Sequence, residues 1–334
     1  MTSSNGGQVD INSGTRRQAV AVDLGGTWLK CALVYDDGTV RSSRRIATPT
    51  DGRESVLSAL RSAISEVAEA AGGLPAVDAV GIGSPGMIDG DGYLHGAAVN
   101  IPGWADFSIA GELERRLGRS VVALNDANAA AMGELRFGAG RGMHDIALVT
   151  VGTGIGVGIV IEGRPHAGKG GVAGELGHLV IHPEGRLCSC GNRGCIEAYA
   201  SASGMRSLVR ELADGFDDAA SELAHAARSV SNDLTAEHIY RELRNGDPLA
   251  AAVNETVCDA LAHAAAALAV TVAPERIVFA GGIMGSADLI LPRVRERFER
   301  LVLPHVAGSV ELALAGLSSD AGLVGAAAAA RTVQ

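Results

Sequence analysis

Three cysteines, Cys188, Cys190 and Cys195, fall together in a glycine-rich stretch. Thiolates so spaced can take three corners of a tetrahedron around zinc, and a fourth ligand must come from elsewhere. His178 and His182 lie just upstream on what reads as a strand, and either can complete the set. Four protein ligands leave zinc no open position for water, so such a centre is structural rather than catalytic. Glu175 precedes the loop and Glu197 follows it. Ionised carboxylates only accept hydrogen bonds. Held rigid by a metal loop, they suit the vicinal hydroxyls of a sugar; held by nothing, they are plain surface charge.

Two glycine turns carry a second chemistry. Asp23 ends an apolar run and is followed by Gly25, Gly26 and Thr27; Gly152, Thr153 and Gly154 repeat the plan in the other half. Glycine lets backbone N–H groups approach a phosphate closely. Two such turns facing each other would clamp a polyphosphate, with Asp23 holding Mg²⁺ through water. Asn125 and Asp126 follow a buried strand and open a helix. Asn-Asp at a helix start is commonly a cap, but at a domain boundary Asp126 can act as a base toward a substrate hydroxyl. Gly281 and Gly282 lie between a strand and a helix, where they suit the adenosine end of a nucleotide.

Two other glycine patterns fail on context. The run from Gly81 to Gly86 spells a dinucleotide fingerprint, but Pro85 removes a donor and no helix follows. The run from Gly163 to Gly170 nearly spells a P-loop, with glycine where Ser or Thr must meet Mg²⁺.

The elements that position these residues read as α/β. Residues 18–46 alternate apolar runs with turns, giving three antiparallel strands, and Asp36, Asp37 and Gly38 make a strong hairpin signal. Residues 145–168 repeat that order of strand, Gly-Thr turn, strand, turn, strand. Helical spacing appears over 54–70, 108–117, 126–137, 203–213, 236–244, 248–272, 288–302 and 321–330, with single strands over 77–82, 120–124 and 276–280. Two domains of one design are expected. Residues 18–124 form a small lobe and 125–334 a large one, with the last helix returning to the small lobe. Residues 1–17 read as a flexible tail.

Composition narrows the class. Glycine is abundant (45 residues), aromatics are 3% and the net charge is −10. The core must be built from Ala, Val, Leu and Ile. The acidic balance, without basic runs, argues against a nucleic-acid surface. No apolar stretch is long enough to span a bilayer and the N-terminus lacks an apolar signal core, so a cytoplasmic location is expected. Trp104 is the one ring near the expected pocket.

Together these residues resemble the ROK family of sugar kinases and repressors, from Ala19 onward. The glycine spacing from Val151 to His178 fits the family signature, and the stretch from Glu175 through the cysteines to Glu197 is similar to its zinc-containing members. The resemblance implies a two-lobed, actin-like, ribonuclease-H-type fold with ATP and sugar in the cleft. It implies Asp126 as general base, with Asn125, Glu175, His178 and Glu197 on sugar hydroxyls. Ser84, Pro85, Gly86 and Asn100 would line the sugar pocket. His178 would also be the fourth zinc ligand, with His182 still possible. Cofactors would be ATP with Mg²⁺, and structural Zn²⁺. The expected substrate is glucose, phosphorylated at its 6-hydroxyl; an N-acylhexosamine such as N-acetylmannosamine or N-acetylglucosamine is the alternative. A homo-oligomer, dimer or tetramer, is implied. A repressor is disfavoured by the short segment before the first strand and by the acidic charge of the chain as a whole.

Overall fold

The computed structural model describes residues 17–98, 100–217, 219–229, 234–317 and 319–332. The expected tail, 1–17, therefore lies outside the described residues except for Arg17. Strands β1 (Gln18–Leu24), β2 (Trp28–Tyr35) and β3 (Val40–Ala47) form an antiparallel meander. Helix α1 (Arg53–Glu69) then leads to β4 (Ala79–Ser84), which pairs parallel with β1. A small antiparallel sheet of β5 (Met87–Ile88), β6 (Tyr93–Ala97) and β7 (Ala105–Ser108) follows, then α2 (Ile109–Leu117) and β8 (Val121–Asn125). The first sheet has the order β3-β2-β1-β4-β8.

Helix α3 (Asp126–Phe137) crosses to a second sheet built on the same plan. Its meander is β9 (Ile146–Val151), β10 (Ile155–Ile161) and β11 (Arg164–Pro165). Helices α4 (Glu197–Ala200), α5 (Ala202–Leu212), α6 (Glu222–Arg228), α7 (Ala236–Arg244) and α8 (Pro248–Thr271) come next. Strand β12 (Arg276–Ala280), helices α9 (Ala287–Leu301) and α10 (Pro304–Ser309), strand β13 (Glu311–Leu314) and helix α11 (Ala321–Thr332) complete the chain. The second order, β11-β10-β9-β12-β13, matches the first strand for strand. In both, the glycine turn joins the first two strands where the parallel strands end, which is where open α/β sheets bind ligands.

Helices α3 and α11 lie between the sheets. One apolar cluster holds Ala21 and Val34 from the first sheet, Leu148 and Val278 from the second, and Met132 and Ala326 from the two helices. Backbones come very close there. A Cβ on Gly325 would sit 1.7 Å from the Ala129 carbonyl oxygen, and one on Gly81 would sit 2.0 Å from that of Ala326. Much of the glycine excess and the aromatic scarcity is explained by this small-residue packing, not by ligand turns alone.

The structure departs from the sequence reading in several elements. The stretch bearing His178 is a 3₁₀ turn, Glu175–His178, rather than a strand. Gly174 turns it at φ 97°, and Gly177 packs against β10, where a Cβ would lie 2.5 Å from the Ile155 oxygen. The segment after Gly86, where the sequence shows no helix, is the β5–β6 hairpin, whose turn is pinned by the Asp89 carboxylate accepting from the Asp91 and Tyr93 N–H groups, each at 3.0 Å. Strand β13 was not foreseen; its four residues are too few to give a clear period.

Candidate active site

The two sheets meet at a cleft of about 830 Å³. Twelve of the residues expected there line it: Asp23, Pro85, Gly86, Asn100, Asp126, Gly152, Thr153, Gly154, Glu175, His178, Glu197 and Gly281. Asp126 is the first residue of α3. The cap is supplied by Asn125, whose Oδ1 accepts from the Ala127 N–H at 2.8 Å and the Asn128 N–H at 3.2 Å. Asn128, buried further along, accepts from the Ile159 N–H at 3.0 Å and so seats α3 on β10. The Asp126 carboxyl is thus presented to the cleft by a helix anchored on its far side.

Asp126 is open to the cleft, but the walls strip away much of the bulk water around it. Its pKa is pushed up to about 6, first by that desolvation, with smaller contributions from the Asp23 and Glu175 charges and opposition from the Ala127 N–H bond. A base so tuned is ionised at neutral pH and still binds a proton readily. Protonation removes it, so kcat/KM falls below about pH 6, tenfold per pH unit. A pH–rate profile of the free enzyme checks this; an acidic limb at an ordinary aspartate value near 4 contradicts it.

Beside the cleft, one ligand atom from each of His178, Cys188, Cys190 and Cys195 lies within 4.8 Å of all the others. The His178 Nδ1 is 3.7 Å from the Cys188 Sγ, and the Cys190 and Cys195 Sγ atoms are 3.7 Å apart. A zinc tetrahedron with Zn–S of about 2.3 Å and Zn–N of about 2.0 Å has edges of about 3.5 to 3.8 Å. Two of the six edges therefore match that ion, and the remaining ones lie within 4.8 Å. His182 does not join them; its ring packs edge-on against Tyr199, with centroids 5.3 Å apart.

This cluster reaches directly into the cleft. With Nδ1 among the sulfurs, the His178 Nε2 points the other way, 3.9 Å from a Glu175 carboxylate oxygen. Ser189, between two ligands, donates to the Glu197 Oε1 at 2.9 Å. The Glu197 Oε2 accepts from the Ile155 N–H at 3.0 Å, next to the second glycine turn. A Cβ on Gly154 would sit 2.6 Å from that oxygen and would push the Glu197 carboxylate aside. Metal loop, carboxylates and turn form one connected unit.

The ROK family model matches residues 19–333 of this chain. The chain belongs to the ROK family. It is 37% identical to a glucokinase of Thermotoga maritima, over 92% of this chain and 95% of that protein. It is 33% identical to an N-acetylmannosamine kinase of Citrobacter koseri, over 92% of this chain and 97% of that one. The crystal structure of a ROK family glucokinase from Streptomyces griseus, in complex with glucose and AMPPNP, superposes with a TM-score of 0.75 at 35% identity, covering 94% of this chain and 99% of that one. The duplicated sheets are those of the actin-like ATPase fold shared by ROK sugar kinases, and the chain is a sugar kinase.

Several residues sit elsewhere than the sequence reading placed them. Ser84 is fully buried; its hydroxyl accepts from the Trp104 Nε1 at 3.0 Å and stands behind the cleft, not in it. Trp104 is itself 0% exposed and offers no face to a sugar. Asn125 spends its Oδ1 on the α3 cap, while its Nδ2 donates to the Gly86 oxygen at 3.1 Å, so it shapes the pocket wall. Gly25, Gly26 and Thr27 lie off the cleft lining, and their turn is braced by Thr48, which donates to the Gly25 oxygen at 2.7 Å. Gly282 borders a neighbouring cavity of about 890 Å³ with residues of α7. Residues missed by sequence reading include Thr150, Ser319, Ala321 and Gly322. No motif marks the last three; they reach the cleft because α11 returns to the first sheet.

Proposed function

We propose that this chain transfers the terminal phosphoryl group of ATP to the 6-hydroxyl of glucose. The observation that carries this is the placing of Asp126 and the second glycine turn on one cleft with Glu175, His178 and Glu197. Phosphoryl transfer asks for positioning and charge neutralisation more than for covalent chemistry. Glu175, Glu197, the His178 Nε2 and Asn100 hold the sugar hydroxyls. Asp126 accepts the 6-hydroxyl proton as the oxygen attacks phosphorus. N–H groups of the second glycine turn face the phosphates, and Mg²⁺ travels with ATP. Zinc held by His178, Cys188, Cys190 and Cys195 supplies rigidity only. Closure of a small lobe, 18–124, on a large one, 125–334, excludes water and so limits wasteful hydrolysis.

Glucose is favoured over other hexoses by the glucokinase relatives. N-acetylmannosamine is the second reading, favoured by the kinases of that sugar that match most of this chain. A coupled ADP-release assay across glucose, N-acetylmannosamine, N-acetylglucosamine and fructose separates them. The expected result is the highest kcat/KM with glucose; no turnover with any of the four defeats the kinase reading. Among the described residues no helix is long and apolar enough to cross a membrane. We place the enzyme in the cytoplasm as a homo-oligomer acting on small molecules, not nucleic acid.

A further inference from the structure

The glycine run that fails as a P-loop has another use. It ends in a tight turn, Lys169–Gly171, which leads into the Glu175–His178 turn. Gly168, Gly170 and Gly171 take left-handed φ values of 66°, 66° and 75°. The Ala173 N–H donates to the Ala167 oxygen at 2.9 Å and closes the bend.

Gly171 meets the opposite wall of the cleft. A Cβ there would lie 2.5 Å from the Ile88 nitrogen and 2.6 Å from the Met87 carbonyl carbon, both backbone atoms of β5. Backbone lies against backbone, with no room for a side chain, so only glycine permits this approach. Strand β5 has little freedom to retreat. Ile88 is packed with Val22 and Ile82 in the core of the first sheet, and Asp89 pins the hairpin. Three residues after Gly171, Gly174 packs on β10 of the second sheet, where a Cβ would lie 2.2 Å from the Val157 oxygen. One short segment therefore ties β5 to β10. It also joins the two walls expected around the sugar: Pro85, Gly86 and Met87 on one side, Glu175 and His178 on the other.

We propose that Gly171 is a positioning residue for the sugar: docked on β5, residues 168–174 strap the two walls together, set Glu175 and His178 against Pro85 and Gly86, and retain the bound hexose. This rests on the sugar-kinase reading above. A built-in comparison separates the docking contact from backbone strain. Gly170 is left-handed as well, but a Cβ on it would meet nothing within 4 Å. Alanine at either position carries the cost of a left-handed backbone. Only alanine at 171 also collides with β5.

The test uses the full chain with Gly171→Ala and Gly170→Ala. Calorimetry measures Mg·AMPPNP and the sugar separately, the sugar being whichever of glucose and N-acetylmannosamine the wild type binds more tightly. Zinc content, Tm and amide hydrogen exchange by mass spectrometry accompany it. Gly171→Ala binds the sugar about 10- to 100-fold more weakly than Gly170→Ala does, the loss expected of a backbone overpacked at one contact. Exchange over residues 168–174 speeds up in Gly171→Ala alone. AMPPNP affinity and zinc content match wild type in both, and Tm falls alike in the two. Equal sugar affinity in the two variants overturns the proposal. So does sugar loss accompanied by zinc loss, which puts the damage in the metal loop. In the wild type, the sugar slows exchange over 168–174 and AMPPNP alone does not; no slowing by the sugar overturns the proposal even if neither variant folds. A wild type that binds sugar but transfers no phosphate defeats the kinase reading alone. One that binds neither sugar overturns both.

Discussion

Asp126→Asn lowers kcat by about 10²- to 10⁴-fold, the usual contribution of a positioned general base, and leaves the glucose dissociation constant nearly unchanged. The reasoning is geometric. Asparagine keeps the oxygen that accepts from the Ala127 N–H at 2.8 Å, so the start of α3 is undisturbed. What is lost is the ability to take a proton. Stability moves the opposite way. Desolvation by the cleft walls and neighbouring carboxylates raise the Asp126 pKa to about 6 in the folded chain, above its unfolded value, so folding binds a proton. The ionised side chain therefore opposes folding above about pH 6, and that penalty fades as pH falls through 6 toward 4. The variant should melt at a higher temperature than wild type at pH 8 and at the same temperature below pH 4. Near-normal kcat would remove Asp126 from the base role; a lower Tm at pH 8 would contradict the electrostatic account.

Cys190→Ser releases the metal and raises KM for glucose by at least about tenfold, by analogy with the 10- to 100-fold losses seen when even a ligand's outer partners are removed. Three ligands remain, but the cluster no longer fixes the His178 ring, whose Nδ1 is 3.7 Å from the Cys188 Sγ. The loop that carries Ser189 to Glu197 loosens with it. KM for ATP changes less, because the second glycine turn touches this loop only through the Glu197 carboxylate and Gly281 draws nothing from it. Elemental analysis of the wild-type protein comes first: purified chain without zinc ends the reading of the loop as a metal centre. Metal loss with unchanged glucose KM would separate the zinc from the sugar site.

Chemistry carried by neighbours in sequence could be read directly. The cysteine loop, the repeated glycine turns and the cap at Asn125 each depend on a few adjacent residues, and local sterics and ligand spacing determine them. The repeated meander is legible for the same reason, since hairpin turns and two-residue periodicity are local. His178 and His182 were not separable that way; only the 3₁₀ turn decides which ring faces the sulfurs. The roles of Ser84 and Trp104 were equally hidden, because their shared hydrogen bond spans 20 residues and buries both. Lys30 and Ser319 lie 289 residues apart and meet only because α11 comes back to the first sheet. By itself the sequence determined which side chains can do chemistry and which short elements carry them. The tertiary structure decided which of them share a cleft, because burial and contact between distant segments are properties of the packed sheets and of no local stretch of chain.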